Sequence, residues 1–208
     1  MSNMTFYTNP QSRGRIVRWM LEEIGQPYEV RVMDFNSSIK SPEYLKLNPM
    51  GKVPALACDG IVVTEVAAIC TWLADRFPAA GLAPPAGDPA RGSYYRWLFF
   101  IAGPLEMATT AKAYGWRIDE ENRRAVGCGL ISDTLDTIEQ ALAGGDYLCG
   151  KQFTTADLLM SSYLGWEMYM KVIEPRAVFE DYVARCNARP ASARASELDN
   201  ALLGQQSA

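Results

Sequence analysis

No histidine occurs anywhere in the 208 residues. That absence removes histidine-based triads and proton shuttles, and it takes away the commonest ligand of transition metals, so no metal is expected. Chemistry in this chain must use hydroxyls, carboxylates, amides, cations or a thiol brought by a substrate. No Cys-x-x-Cys pair is present either. The five cysteines, at 58, 70, 128, 149 and 186, are odd in number and dispersed, as buried free thiols are. No apolar run approaches the roughly 20 residues that span a bilayer, and Met1-Ser2-Asn3-Met4 has no basic region ahead of an apolar stretch. A cytoplasmic protein without membrane attachment is expected. There is no basic stripe: 20 Lys and Arg against 24 Asp and Glu leave a net charge of −4, which argues against nucleic acid as a partner. No internal repeat is visible.

What is present is an ordinary globular composition, 49% hydrophobic and 21% charged, enough to bury a core in one large domain or two small ones. Met4 to Thr8 reads as a buried strand. After the loop Asn9-Pro10-Gln11-Ser12-Arg13-Gly14, Ile16, Val17, Met20, Leu21 and Ile24 recur at helical spacing until Gly25. Residues 28–33 alternate like a second strand, and Ser41-Pro42-Glu43 has a helix cap followed by proline at the first position. Residues 55–58 and 61–64 read as strands joined across Asp59-Gly60, and a helix follows from Glu65 to Phe77. The order is βαβαββα. Six prolines and glycines between 78 and 90 read as a linker. Beyond it, helices are expected over 90–114, 119–143, 154–170, 175–188 and 193–203. Thr154-Thr155-Ala156-Asp157 has the pattern of a capping box, with Phe153 placed as a hydrophobic staple.

The chain is organised around Asn48-Pro49-Met50-Gly51-Lys52-Val53-Pro54, followed by Thr64-Glu65. Two prolines force extended backbone before them and Gly51 supplies a turn between them, so the loop holds a shape. Pro54 reads as the first residue of a strand. Were the Val53-Pro54 bond cis, the Val53 amide would face outward, able to pair with the main chain of an extended peptide; the residues leave the isomer open. Lys52, that backbone edge and the helix N-terminus beyond Glu65 suit a small peptide-like ligand carrying separated charges. Taken singly, Lys52 reads equally as a solvated cation and Glu65 as a complement to the helix dipole.

These stretches resemble the cytosolic glutathione transferases, and in particular bacterial, serine-type, zeta- or theta-like members. Four motifs stand in the family's order: the Ser-Arg loop after strand 1, residues 48–54, Thr64-Glu65, and Phe153 to Asp157. The resemblance implies a thioredoxin-like glutathione-binding domain over 1–78, a linker over 79–90, and an all-helical domain over 91–208. It implies that Val53, before Pro54, pairs with the cysteinyl part of glutathione, and that Glu65 and Val66 bind the γ-glutamyl end. Val66 departs from the family's serine: it keeps the N–H and loses a side-chain hydrogen bond worth about 0.5–1.5 kcal/mol. Lys52, with Lys40 as a second candidate, takes the place of the group near the glycyl carboxylate.

For the thiol-activating group the resemblance offers Ser12, at the second serine of a zeta-like Ser-Ser-Cys run, with Arg13 at its cysteine. It also offers Tyr7, at the tyrosine of the alpha, mu and pi type; the theta-like serine falls near Asn9. Read structurally, Ser12 is a helix cap, Tyr7 a core aromatic and Arg13 a solvated charge. The implied activity is conjugation of glutathione, as thiolate, to a small hydrophobic electrophile held by Met107, Tyr114 and Trp116, with Trp166, Tyr169 and Met170 as further candidates. A stripe of Met and aromatics at helical spacing reads equally as core. A glutathione-dependent isomerase or dehalogenase and a non-catalytic binding scaffold are the alternatives. The family's homodimer would use Tyr94, Tyr95, Trp97 and Phe99, which suit a monomer core as well.

Overall fold

A computed structural model of the protein describes residues 3–206. The chain forms two compact units, one of residues up to Ala80 together with those from Arg189 onward, the other of Gly81–Ala188.

The first unit is built on a four-stranded sheet of order β2-β1-β3-β4. Its elements are β1 (Met4–Thr8), α1 (Gly14–Ile24), β2 (Glu29–Val32), α2 (Pro42–Leu47), β3 (Ala55–Cys58), β4 (Ile61–Thr64) and α3 (Val66–Arg76), the expected βαβαββα order. Strand β2 lies parallel to β1, and β3 and β4 run antiparallel. Met4, Phe6 and Thr8 of β1 are buried, while Thr5 and Tyr7 on the other face are half-buried. Along α1, Ile16, Val17, Met20 and Leu21 are buried, and the helix ends where Gly25 turns left-handed at φ +67°. The Ser41 hydroxyl caps α2 by accepting the Tyr44 amide at 3.2 Å, with Pro42 at the first position. Asp59 and Gly60, at φ +50° and +84°, close the β3–β4 hairpin as a turn with two positive φ angles.

The second unit is helical: α4 (Ala90–Phe100), α5 (Glu106–Ala113), α6 (Ile131–Leu142), α7 (Thr155–Tyr169) and α8 (Ala177–Asn187). Two expected helices are corrected. The run over 90–114 is divided by a π-helical segment, Ile101–Leu105, containing Pro104, whose missing N–H interrupts the α ladder. The helix expected over 119–143 begins only at Ile131. Before it, Asp119 accepts the Glu121 amide and Asn122 accepts the Asp119 amide, both at 3.0 Å, and Gly129 adopts φ +62°; these local bonds compete with the helix. The capping box at the start of α7 forms as read, and the buried Asp157 carboxylate also accepts the Leu148 amide and the Tyr182 hydroxyl at 2.8 Å. No helix among the described residues is long and apolar enough to cross a membrane.

Helix α9 (Pro190–Gln206) runs longer than the expected 193–203 and packs along α1, so the last part of the segment expected as the helical domain, 91–208, belongs to the first unit. The reason is an ionic seam. Buried Arg18 meets buried Asp199 at 3.0 Å, and its guanidinium lies 5.3 Å and 5.8 Å from the ring centres of Phe6 and Tyr28. Arg189 grips Glu23 at 2.6 and 2.7 Å, and Arg194 meets Glu22 at 2.6 Å. Burial pushes the Asp199 carboxyl above its usual range although Arg18 pulls the other way. Arg18→Met therefore leaves an uncompensated buried charge. Urea unfolding should show a loss of about 3–5 kcal/mol, with most of it recovered in Arg18→Met/Asp199→Leu.

Candidate functional site

Register brings three chain segments together at one end of the sheet. Tyr7 pairs with Ala55 and Ala55 with Thr64, so the loop leaving β1, the entry to β3 and the exit from β4 are neighbours. Helices α1 and α3 begin directly after two of these segments. The positive end of each helix dipole lies there, which favours an anion, although the first amides of α1 are taken by its own entry loop: Gly14 by the Ser12 hydroxyl, Arg15 by the Ser12 carbonyl at 3.2 Å and Ile16 by the Arg13 carbonyl at 3.1 Å.

The loop leaving β1 is held by Asn9, buried, whose Nδ2 donates to the Met33 carbonyl at 2.8 Å while its Oδ1 accepts the Gln11 amide at 2.9 Å. Half-buried Ser12 donates its hydroxyl proton to the Asn9 carbonyl at 2.7 Å and accepts the Gly14 amide at 2.9 Å. The Asn9 carbonyl also accepts the Ser12 amide at 3.0 Å, so it has a second donor. Only glycine fits position 14, because a Cβ there would lie 2.0 Å from Thr8 Oγ1. Arg13 is exposed at the helix start. Tyr7 is half-buried, with its ring 5.6 Å from that of Tyr44, and it packs against the cluster of Met33, Ile39, Tyr44 and Ala55.

The organising stretch is a tightly bonded loop. The Lys52 carbonyl accepts the Tyr44 hydroxyl at 2.6 Å and Asn48 Nδ2 at 2.8 Å, while Asn48 Oδ1 accepts the Met50 amide at 3.1 Å. Gly51 donates to the Asn48 carbonyl at 2.8 Å from a left-handed φ of +57°. Lys40 Nζ donates to the Met50 carbonyl at 2.9 Å, and the Lys52 side chain is exposed. The Val53–Pro54 bond is cis, Pro54 is buried, and the Val53 main chain has no hydrogen-bond partner among the described residues. At the third segment, exposed Glu65 holds φ +71° and ψ +125°, a strained conformation for a residue with a Cβ, and Val66 opens α3 half-buried.

Sequence reading missed Tyr44 as part of this site, and it placed Asn48 in the organising loop without seeing its bond to the Lys52 carbonyl. Tyr44 gave no signal beyond being an aromatic in the first turn of α2. In the helical unit, Met107 and Trp116 line one cleft of about 390 Å³ with Gly103, Pro104, Glu106 and Thr110. Tyr114 does not line it but lies stacked on Trp116 at 6.3 Å, exposed. Trp166, Tyr169 and Met170 are exposed and outside that lining. Tyr94 and Trp97 are buried, whereas Tyr95 and Phe99 are exposed, Phe99 at 76%.

The protein's own thiols are held protonated by burial, Cys149 up to about 11 and Cys186 up to about 12, with Cys70 higher still. Among the described residues no group of His, Cys, Asp or Glu is placed to hold a metal ion. The site presents a peptide-backbone edge at Val53 beside two helix N-termini.

Residues 12–76 match the family description of the glutathione S-transferase N-terminal domain. The chain is 31% identical over 170 residues to a glutathione S-transferase of Xanthomonas campestris pv. campestris, covering 78% of this chain and 82% of that one. A crystal structure of a glutathione transferase from Methylococcus capsulatus is similar with TM-score 0.79 and 32% identity, over 95% of this chain and 98% of that one. A sphingomonad glutathione S-transferase complexed with glutathione is similar with TM-score 0.76 and 27% identity, over 94% and 98%. The chain belongs to the glutathione S-transferase family.

The strain at Glu65 yields a measurable expectation. Glu65→Gly removes about 1–3 kcal/mol of backbone strain and adds about 0.5–1 kcal/mol of chain entropy, so urea unfolding should show a net stabilisation of about 1 kcal/mol.

Proposed function

We propose that the protein is a glutathione transferase of the serine type, which binds glutathione at this end of the sheet, activates its thiol as thiolate and adds it to a small hydrophobic electrophile. The observation that carries this reading is the register Tyr7–Ala55–Thr64, which gathers Ser12, Val53 and Glu65-Val66 beside two helix N-termini. The Val53 main chain pairs with the cysteinyl unit, Glu65 and the Val66 amide take the γ-glutamyl end, and Lys52, seconded by Lys40, faces the glycyl carboxylate.

A thiol with pKa near 8.5 is a poor nucleophile at neutral pH, so the site must favour its anion. Ser12 does this by turning its hydroxyl proton from the Asn9 carbonyl to the sulfur. The exchange trades a neutral hydrogen bond for a charge-assisted one, about twice as strong, and the Asn9 carbonyl keeps the Ser12 amide as donor. With the α1 dipole and the nearby Arg13 cation, a shift of about two units, or roughly 2.7 kcal/mol, is within reach. No general base on the protein is required, in keeping with a chain that has no histidine. The electrophile is assigned to the helical unit's cleft, at Met107 and Trp116 with Tyr114 on the outer side of Trp116. A cytoplasmic homodimer, joined through the face bearing exposed Tyr95 and Phe99, completes the reading.

The test is the ultraviolet absorbance of the thiolate of bound glutathione against pH. Wild type should titrate about two units below free glutathione, Ser12→Ala should return toward the free value, and Tyr7→Phe should not. The reverse pattern moves the role to Tyr7, and absence of saturable binding at millimolar glutathione removes the reading. Glu65→Gly, though more stable, should bind glutathione about tenfold more weakly through loss of its carboxylate, checked by calorimetry.

A further inference from the structure

The main chain offered at Val53 is held in place by one carbonyl, one residue earlier. Lys52 O accepts two hydrogen bonds, from Tyr44 Oη at 2.6 Å and from Asn48 Nδ2 at 2.8 Å. Both donors are buried, at 2% and 4% exposure, although Lys52 itself is exposed. Each is fixed by further contacts. Tyr44 lies in the cluster of Met33, Ile39 and Ala55 with its amide on the Ser41 cap. Asn48 is the residue that ends α2; its amide donates to the Tyr44 carbonyl at 2.9 Å and its Oδ1 accepts from Met50. Both donors are therefore anchored to α2 and its C-terminal turn. Burial pushes the Tyr44 phenol up to about 12, so it remains a donor throughout the working pH range.

We infer that Tyr44 and Asn48 are positioning residues for glutathione, acting as a two-pronged latch on the Lys52 carbonyl that fixes the Val53 peptide edge before the ligand arrives. The inference rests on the proposed glutathione site. Its physical content is preorganisation. A peptide edge that is already ordered loses little conformational freedom when a second main chain pairs with it, whereas an unlatched loop pays that entropy on binding. Neither Tyr44 nor Asn48 bonds Ser12 or the start of α1, and Tyr44 meets Tyr7 only through ring packing at 5.6 Å, so with Ser12 activating the thiol the latch bears on affinity and leaves thiol activation alone.

The test uses the full-length chain, with glutathione as probe, in Tyr44→Phe and in Asn48→Asp. Tyr44→Phe keeps the ring in its cluster and leaves the carbonyl one donor, so the fold is retained. Asn48→Asp keeps the acceptor for Met50 and loses the donor to Lys52. Calorimetry should show the dissociation constant for glutathione raised by about two- to twelvefold in Tyr44→Phe, the equivalent of one neutral hydrogen bond, and by at least as much in Asn48→Asp. At saturating glutathione the bound thiol should titrate as in wild type in both. Wild-type affinity in Tyr44→Phe overturns the latch while leaving the glutathione site standing. A bound thiol that returns to its free pKa in Tyr44→Phe overturns it differently, by making Tyr44 part of thiol activation. Failure of wild type itself to bind glutathione removes the site, and the latch with it.

Discussion

Two hydrogen bonds converge on the carbonyl of Lys52, and the geometry of the site depends on them. They tie α2 to the segment entering β3, and β3 in turn is hydrogen-bonded to β1 on one side and β4 on the other. Main-chain pairing is a natural way to recognise a tripeptide, since it supplies directional bonds without committing side chains. It requires a backbone segment kept out of the sheet's own ladder. Pro54, buried just before β3, and the Val53 main chain before it, which has no hydrogen-bond partner among the described residues, provide one.

The rest of the site follows from what the chain lacks. Without histidine, and with its own cysteine thiols kept protonated by burial, the proposed mechanism relies on a hydrogen bond and a field where a base would otherwise stand. Ser12 is suited to this because its oxygen is fixed by the Gly14 amide while its proton can turn. Gly14 is part of the same arrangement, since any side chain there would collide with Thr8 and push the helix start away from the loop. At the neighbouring segment, strained Glu65 is held at a positive φ by the turn from β4 into α3, a conformation that would relax were stability alone selected.

The sheet unit was legible because local rules and tertiary structure agree there. Alternation marked the strands, Asp59-Gly60 marked the hairpin, and Ser41-Pro42 marked a helix start that the structure caps as read. Legibility failed where a local competitor or a distant polar partner decided the outcome. Pro104 produced a π-helical segment in place of a continuous helix, and the side chains of Asp119 and Asn122 took amides that a helix would have used. The docking of α9 on α1 rests on Arg18 and Asp199, 181 residues apart, and no periodicity announces such a pair. At the site, the loop was visible as prolines around a glycine. The Tyr44 bond that fixes it was not, because a buried tyrosine reads as core until its hydroxyl's partner is known.

A structure of the protein with glutathione bound tests the central claim most directly. The account predicts the cysteinyl main chain within about 3.2 Å of Val53 N and O, the γ-glutamyl carboxylate at the first turn of α3, and the sulfur facing Ser12 at the start of α1. Glutathione seated elsewhere, or held with its main chain unpaired from Val53, would contradict it.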